Sequence, residues 1–293
     1  MVYKKNFRER LVDFLIYASL TFLTFITLYP IWHVAMASIS DGNSLMSKVG
    51  VLLWPEGFSL DAYQVVLRNP SILSGYSNTL LYVVLGTSLN LFLTTLGAYV
   101  LSRKNFLWGT PAMLMILLTM FFSGGMVPDF LLVEGLGLID TRWALILPSA
   151  INTFNLIIMR TAFAAVPDAM EESAKLEGAN DITILFKIYV PISKAVMAVM
   201  VLYYAVAHWN SWFPAMLYLR SRALYPLQLI LREILIMNSL DSMRGNIDFN
   251  DLYRVADTIK YATIIVSTIP ILMLYPFLQK YFVRGVMIGA LKG

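Results

Sequence analysis

Beyond Asp41, five stretches of this chain run for 17 residues or more without an Asp, Glu, Lys or Arg, and this spacing of charge limits the fold more than any other feature. They lie between Arg68 and Arg103, Lys104 and Asp129, Arg142 and Arg160, Lys194 and Arg220, and Lys260 and Lys280. A further apolar run extends from Phe14 to about Ile39. A helix needs about 20 residues to cross the hydrocarbon core of a bilayer. The runs therefore predict six membrane helices, near 12–39, 74–101, 108–128, 143–163, 191–219 and 259–281. They are too long and too continuous for the period-two alternation of a barrel strand. Composition agrees: 58% of residues are apolar and 14% charged, against about 25% charged in a soluble domain. Mean hydropathy is +0.69. Disorder, a collagen-like fibre and a disulfide scaffold are excluded, the last by the absence of cysteine.

Lys4, Lys5, Arg8 and Arg10 ahead of the first run, with Ala35-Met36-Ala37 beyond it, give a signal-peptide alternative. A signal core spans only about 7–15 residues, so a retained first helix is the expectation. With the N-terminus inside, segments 1–12, 102–109, 160–194 and 280–293 hold more than half of the 22 Lys and Arg. The positive-inside rule then predicts both termini in the cytoplasm. The net charge of +4 suits anionic lipid headgroups, and no nucleic-acid partner is expected. The expected layout is an N-terminal tail, first helix and outer loop over 1–73, a core of helices two to six over 74–281, and a cytoplasmic tail over 282–293.

The central stretches of helices two to six lack Asp, Glu, Lys and Arg, and gradient-driven carriers usually place such groups in the bilayer. His208 alone titrates there, and it and His33 read first as hydrogen-bonded packing residues. No metal-ligand cluster, Ser/His/Asp arrangement or phosphate-binding P-loop is present, so no metal, catalytic residue or cofactor is expected in this chain. Energy for uphill movement must then come from a partner.

Residues 164–194 carry the most specific signal. Asp168 can cap a helix, with Glu171 three residues on to complete a capping box. Glu171 and Glu172 suit the first turn, where the helix dipole favours anions. Gly178 is a natural helix stop, Asn180 or Asp181 can cap a second short helix, and Pro191 can open the next span. The result is helix, glycine turn, helix at the cytoplasmic surface. Ala169, Met170, Ser173 and Ala174 offer small or adaptable contacts for a cleft on another protein. A lipid-resting helix is the alternative, although the mixed charges and few bulky anchors favour a protein cleft.

This segment resembles the EAA loop of ABC importer permeases: Glu-Ala-Ala, three residues, Gly, nine residues, Ile-x-Leu-Pro. Here it reads Glu172-Ser173-Ala174, Gly178, then Ile188-Tyr189-Val190-Pro191, with Ser173 and Val190 as mild departures. The six-helix pattern resembles the MalG-like carbohydrate-uptake permeases, with a MetI-like bundle and cytoplasmic coupling helices. Gly285 to Gly293 is similar to the Gly-rich, Lys-Gly ending of that group, and Trp209-Asn210-Ser211-Trp212-Phe213 to its Trp-Asn motif. Among subgroups the chain resembles the LplC-like permeases and, among their look-alikes, alginate-oligosaccharide importer permeases.

The resemblance implies a non-catalytic permease subunit of a binding-protein-dependent importer of oligosaccharide. Glu171, Glu172, Ser173, Ala174, Gly178, Ala179 and Asp181 would couple it to an ATP-binding subunit. Its partners would be a second homologous permease, two ATP-binding subunits holding the ATP and Mg, an extracytoplasmic solute-binding protein and membrane lipid. The C-terminal tail would reach between the ATP-binding subunits.

A sugar needs aromatic faces and hydrogen-bonding groups, which makes Asn152, Asn155, Tyr204, His208, Trp209, Asn210 and Trp212 the candidate passage residues. Asn152 and Asn155 would share a helix face, and Tyr204, His208 and Trp212, spaced by four, another. Interfacial anchoring of the Trp and Tyr, and helix–helix bonding by the Asn, remain alternatives. In the loop 220–257, Leu227, Ile230, Leu231, Ile234 and Leu235 recur at helical spacing, followed by Asp241, Arg244, Asp248, Asp251 and Arg254. By resemblance this loop meets the binding protein; packing on its own spans is the alternative. Three rival functions stay open: a gradient-driven carrier or channel, a membrane-embedded enzyme, and an importer of peptide or phosphate.

Overall fold

The computed structural model describes residues 7–47, 50–236 and 258–273. All regular structure among them is helical, apart from one isolated bridge pairing Ser40 with Phe58. The described residues divide into two compact units, those within Met1–Asn69 and Ile234–Thr268, and those within Pro70–Glu233 and Ile269–Gly293.

In the first unit, α1 (Phe7–Ser38) is a 32-residue helix, with a most apolar window that has no buried residue. Its C-terminal end is tied to the chain that follows. Tyr29 Oη accepts the Leu52 amide at 3.1 Å, Trp32 donates to the Leu53 carbonyl at 3.0 Å, and Ser38 and Tyr63 share a 2.8 Å bond. His33 bonds Tyr29 at 3.4 Å and meets Tyr261 edge-on at 5.9 Å, a packing role. Two short helices follow, α2 (Gly42–Ser47) and α3 (Asp61–Arg68); Asp41 caps α2 by accepting the Ser44 amide at 3.0 Å.

The second unit is built on α4 (Pro70–Ser102), 33 residues long and amphipathic in the sense opposite to a soluble helix. Asn78, Thr79, Tyr82, Gly86, Thr87, Asn90, Thr94, Thr95, Ala98 and Tyr99 recur at helical spacing and are buried, while Leu80, Val84, Phe92 and Val100 are exposed. A polar and small inner face with an apolar outer face suits a helix whose solvent is lipid, because polar groups there must find partners inside the protein.

The remaining elements are α5 (Gly109–Phe121), α6 (Met126–Gly135), α7 (Trp143–Ile146), α8 (Thr153–Ala164), α9 (Asp168–Leu176), α10 (Asp181–Ile184), a wide π turn (Leu185–Tyr189), α11 (Val190–Ile192), α12 (Lys194–Trp209), α13 (Phe213–Tyr218) and α14 (Leu227–Ile236). Helix Thr258–Met273 lies in the last described stretch.

Three expected spans are broken. The run 108–128 turns by 114° between α5 and α6, because Gly124-Gly125 interrupts it and Gly125 takes a φ of 87°. The run 143–163 ends its first helix at Ile146 and restarts at Thr153. Pro148 lacks the donor needed to continue, and Asn152 caps the restart by accepting the Asn155 amide at 3.1 Å. The run 191–219 bends by 87° at Ser193 and breaks again between Trp209 and Phe213, so Pro191 precedes the bend rather than opening the long helix. Among the described residues two helices are long and apolar enough to cross a membrane, and up to four spans result if each bent pair is one crossing.

Two cores flank the middle of this unit. One gathers Ala98, Tyr99, Leu156, Met159, Phe163, Ile184, Leu185, Tyr189, Met200 and Tyr204 at the C-terminal end of α4. The other gathers Tyr82, Val133, Leu145, Ile146, Ala215, Tyr218 and Leu229 nearer its N-terminal end.

Candidate functional site

The helix–turn–helix read from residues 164–194 forms at the edge of the first core. Helix α9 ends in a Schellman turn: Gly178 N–H bonds the Lys175 carbonyl at 3.0 Å and Ala179 N–H the Ala174 carbonyl at 2.9 Å. Gly178 takes a φ of 82° there. Asn180 caps α10 by accepting the Thr183 amide at 2.8 Å.

The expected capping box does not form. Pro167 occupies the cap position, and Asp168 instead takes Lys104 at 2.5 Å; this hydrogen bond and charge raise the Lys104 pKa above its ordinary value. Glu171 turns inward, pairing with Arg103 and with Lys175 at 2.7 Å. Ala174 and Ala179 pack on the core, while Glu172, Ser173, Leu176 and Ile182 face outward, Leu176 being 91% exposed. Asp181 is exposed and accepts from Tyr99 at 3.3 Å. The helix thus has an anchored side and a free side bearing one carboxylate and apolar knobs.

Between the two cores lies a cavity of about 770 Å³. Asn90, Ser149, Asn152, Asn155, Tyr203, Tyr204, His208, Asn210, Ser211 and Tyr218 line it, with Ala, Leu, Ile, Pro and Phe completing the wall and no Asp, Glu, Lys or Arg among the described residues. His208 Nε2 lies 2.9 Å from Asn90 Oδ1, and Asn90 Nδ2 donates to the Ser149 carbonyl at 2.5 Å. With its amide NH2 so used, Asn90 accepts, and the His208 Nε2 carries the proton. Tyr204 shares a 2.6 Å bond with Thr94 and accepts the Asn152 amide at 3.3 Å. The wall is a held network of amides, hydroxyls and aromatic rings, suited to a polyhydroxylated solute.

Comparison with known proteins decides the family. No protein-family model matches the chain. It is 43% identical over 290 residues to the polygalacturonan/rhamnogalacturonan transport system permease protein YtcP of Bacillus subtilis (strain 168), covering 98% of this chain and all of that one. The chain belongs to the permease subunits of carbohydrate ABC transporters. The permease is also 40% identical over 268 residues to protein LplC of the same organism, covering 92% of this chain and 90% of that protein. Its fold matches a chain of a crystal structure of a bacterial ABC transporter involved in the import of the acidic polysaccharide alginate. The TM-score there is 0.88 at 32% identity, covering 96% of the permease and 100% of that chain. The carbohydrate-permease resemblance and the all-helical fold drawn from the sequence are therefore right, and the rival functions fall away.

Of the seven passage residues expected, the permease brings Asn152, Asn155, Tyr204, His208 and Asn210 to one cavity. Trp209 and Trp212 are not in its wall. Trp209 is buried edge-on to Tyr76 at 6.3 Å, and Trp212 meets Phe213 edge-on at 5.5 Å with Arg232 4.9 Å over its ring. Asn152 is a cap ahead of α8 rather than a residue on its face. Sequence reading missed Asn90, Thr94, Ser149, Tyr203 and Tyr218. A visible signal for the first two was a polar pair four apart inside a charge-free run.

The expected helix of the loop 220–257 is α14, with Leu227, Ile230 and Ile234 buried; Asp241, Arg244, Asp248, Asp251 and Arg254, and the tail Gly285 to Gly293, lie outside the described residues. The loop ahead of α14 is held by α4. Asn78 donates to the Ala223 and Tyr225 carbonyls at 2.7 and 3.1 Å, Tyr82 to Leu224 at 2.8 Å, and Thr79 accepts the Leu227 amide at 2.8 Å. Asp140, at a φ of 58°, accepts the Ser221 hydroxyl at 2.5 Å and the Ser221 and Arg220 amides at 2.7 and 2.9 Å, and these bonds, the hydroxyl's first, hold its pKa below the ordinary carboxylate value.

Proposed function

We propose that this permease forms one half of the passage in a binding-protein-dependent importer of acidic oligosaccharides, of the oligouronide type. The observation that carries the substrate is the full-length 43% identity to a permease named for polygalacturonan and rhamnogalacturonan, supported by the likeness to an alginate importer chain. The cavity contributes hydroxyl and ring recognition through Asn152, Asn155, Tyr204 and Asn210. Among the described residues its wall carries no cation, and the second permease pairs the solute carboxylates. Two ATP-binding subunits hold ATP and Mg and perform hydrolysis; an extracytoplasmic binding protein delivers the solute. Both termini lie in the cytoplasm of a bacterial inner membrane, where the exposed side of α9, with Glu172 at its centre, docks on an ATP-binding subunit. Alternating access then follows from rigid-body motion of the two permeases.

The test is reconstitution of the whole complex in lipid vesicles. ATP-dependent uptake of galacturonate or alginate oligomers is expected, with neutral oligomers of equal length taken up far less. Preference for the neutral solutes would remove the substrate assignment. Glu172→Lys should abolish binding-protein-stimulated ATP hydrolysis in assembled complex; unchanged stimulation would remove the docking assignment.

A further inference from the structure

Arg103 is the first residue beyond α4, and its guanidinium is enclosed. Its side chain is 17% exposed and the paired Glu171 side chain 15%. Nη1 donates to Tyr189 Oη at 2.6 Å and Nη2 to Tyr99 Oη at 2.7 Å. The guanidinium carbon stands 4.2 Å from the Tyr99 ring centroid and 4.7 Å from that of Tyr189, and the two rings meet edge-on at 5.3 Å. Tyr189 Oη in turn donates to Glu171 at 3.3 Å. One cation therefore joins three pieces of chain: the end of α4, the surface helix α9, and the π turn ahead of α12.

A half-buried guanidinium is costly unless paired and hydrogen-bonded, and this one has a carboxylate, two hydroxyls and two π faces. The other ties of α9 to its own subunit are weaker in direction. Ala174 and Ala179 give small packing contacts, and the Lys104–Asp168 pair is exposed on both sides. At its other side the same α4 reaches the cavity, through Asn90 to His208 and Thr94 to Tyr204. Arg103 lies about 20 Å along the helix axis from Asn90, at 1.5 Å per residue.

We propose that Arg103 is the positioning residue of energy transmission: its cage locks α9 to α4, so that displacement of the surface helix moves the cavity wall instead of sliding past it. This rests on the reading that α9 docks on an ATP-binding subunit. The quantity to measure is solute uptake per ATP hydrolysed by the complete complex in vesicles, a ratio that does not depend on how much complex folds. Arg103→Gln should lower it about tenfold, within the range of ordinary coupling energies. Arg103→Lys keeps the charge but loses the planar fork, and should recover part of the ratio. Glu171→Gln should lower it too, and adding it to Arg103→Gln should give little further loss, since both break one joint. A wild-type ratio in Arg103→Gln overturns the proposal. Should that variant fail to assemble, wild-type ratios in both Arg103→Lys and Glu171→Gln overturn it. Normal ATPase stimulation in Glu172→Lys is a failure of docking; a broken Glu172→Lys beside a wild-type Arg103→Gln is a failure of the joint alone.

Discussion

Gly86 has no side chain because the His208 ring occupies the place where one would point. A Cβ built on Gly86 would stand well inside contact distance of three atoms of that ring. The ring itself cannot retreat, since Nε2 is bonded to Asn90 and His208 is only 5% exposed. Gly86→Ala should therefore cost about 1–3 kcal/mol, the usual penalty of overpacking. Thermal unfolding in detergent would show it as a lowered midpoint. In a His208→Ala background the ring is gone and the added methyl should cost much less. Equal losses in both backgrounds would mean that crowding by His208 is not the reason for glycine. The lone histidine was legible as a packing residue from the sequence. Its partner was not, because Asn90 lies 118 residues away and no local spacing connects them.

At the scale of elements, α9 and its glycine turn were legible because a Schellman turn is a local device. The N-terminal half of the same helix was misread. Asp168 and Glu171 have capping-box spacing, but Lys104 and Arg103, from a segment far back in the chain, claim both carboxylates. The broken spans were hidden for a related reason: a charge gap measures how far an apolar run extends, and says nothing of its direction.

The turn gives a graded prediction. A Cβ on Gly178 meets no atom within 4 Å, so space is free and only the φ of 82° resists substitution. That conformation costs an ordinary residue about 1–2 kcal/mol, and Asn less. Binding-protein-stimulated ATP hydrolysis of the assembled complex should therefore fall from glycine to Asn to Ala to Val at position 178. Wild-type stimulation in Gly178→Val would show that the angle between α9 and α10 does not matter to coupling.

For the whole molecule, the distribution of apolar and polar surface is reversed from that of a soluble protein. The most apolar window of α1 has no buried residue, and α4 turns Leu73, Leu80, Val84, Leu85, Phe92 and Val100 outward while its asparagines and threonines face in. Lipid supplies the missing apolar contacts, and the inward Asn78, Thr79, Asn90 and Thr94 find hydrogen-bond partners inside the protein. What this interior lacks bears on the energy source. A charged group at a bilayer centre is penalised by about 3 kcal/mol on insertion scales, and carriers that exploit ion gradients retain such groups because they do the coupling. Among the described residues the cavity wall has none, and His208 is occupied by Asn90. Solute movement in the complete complex should therefore follow ATP alone. In vesicles loaded with ATP at fixed concentration, a protonophore or a sodium ionophore should leave initial uptake rates within experimental error, while replacing ATP with a non-hydrolysable analogue should stop accumulation. Loss of uptake on collapsing the proton gradient, with ATP held constant, would show that a titrating group takes part in the cycle, and His208, the cavity's lone ionisable imidazole, would be the first residue to replace.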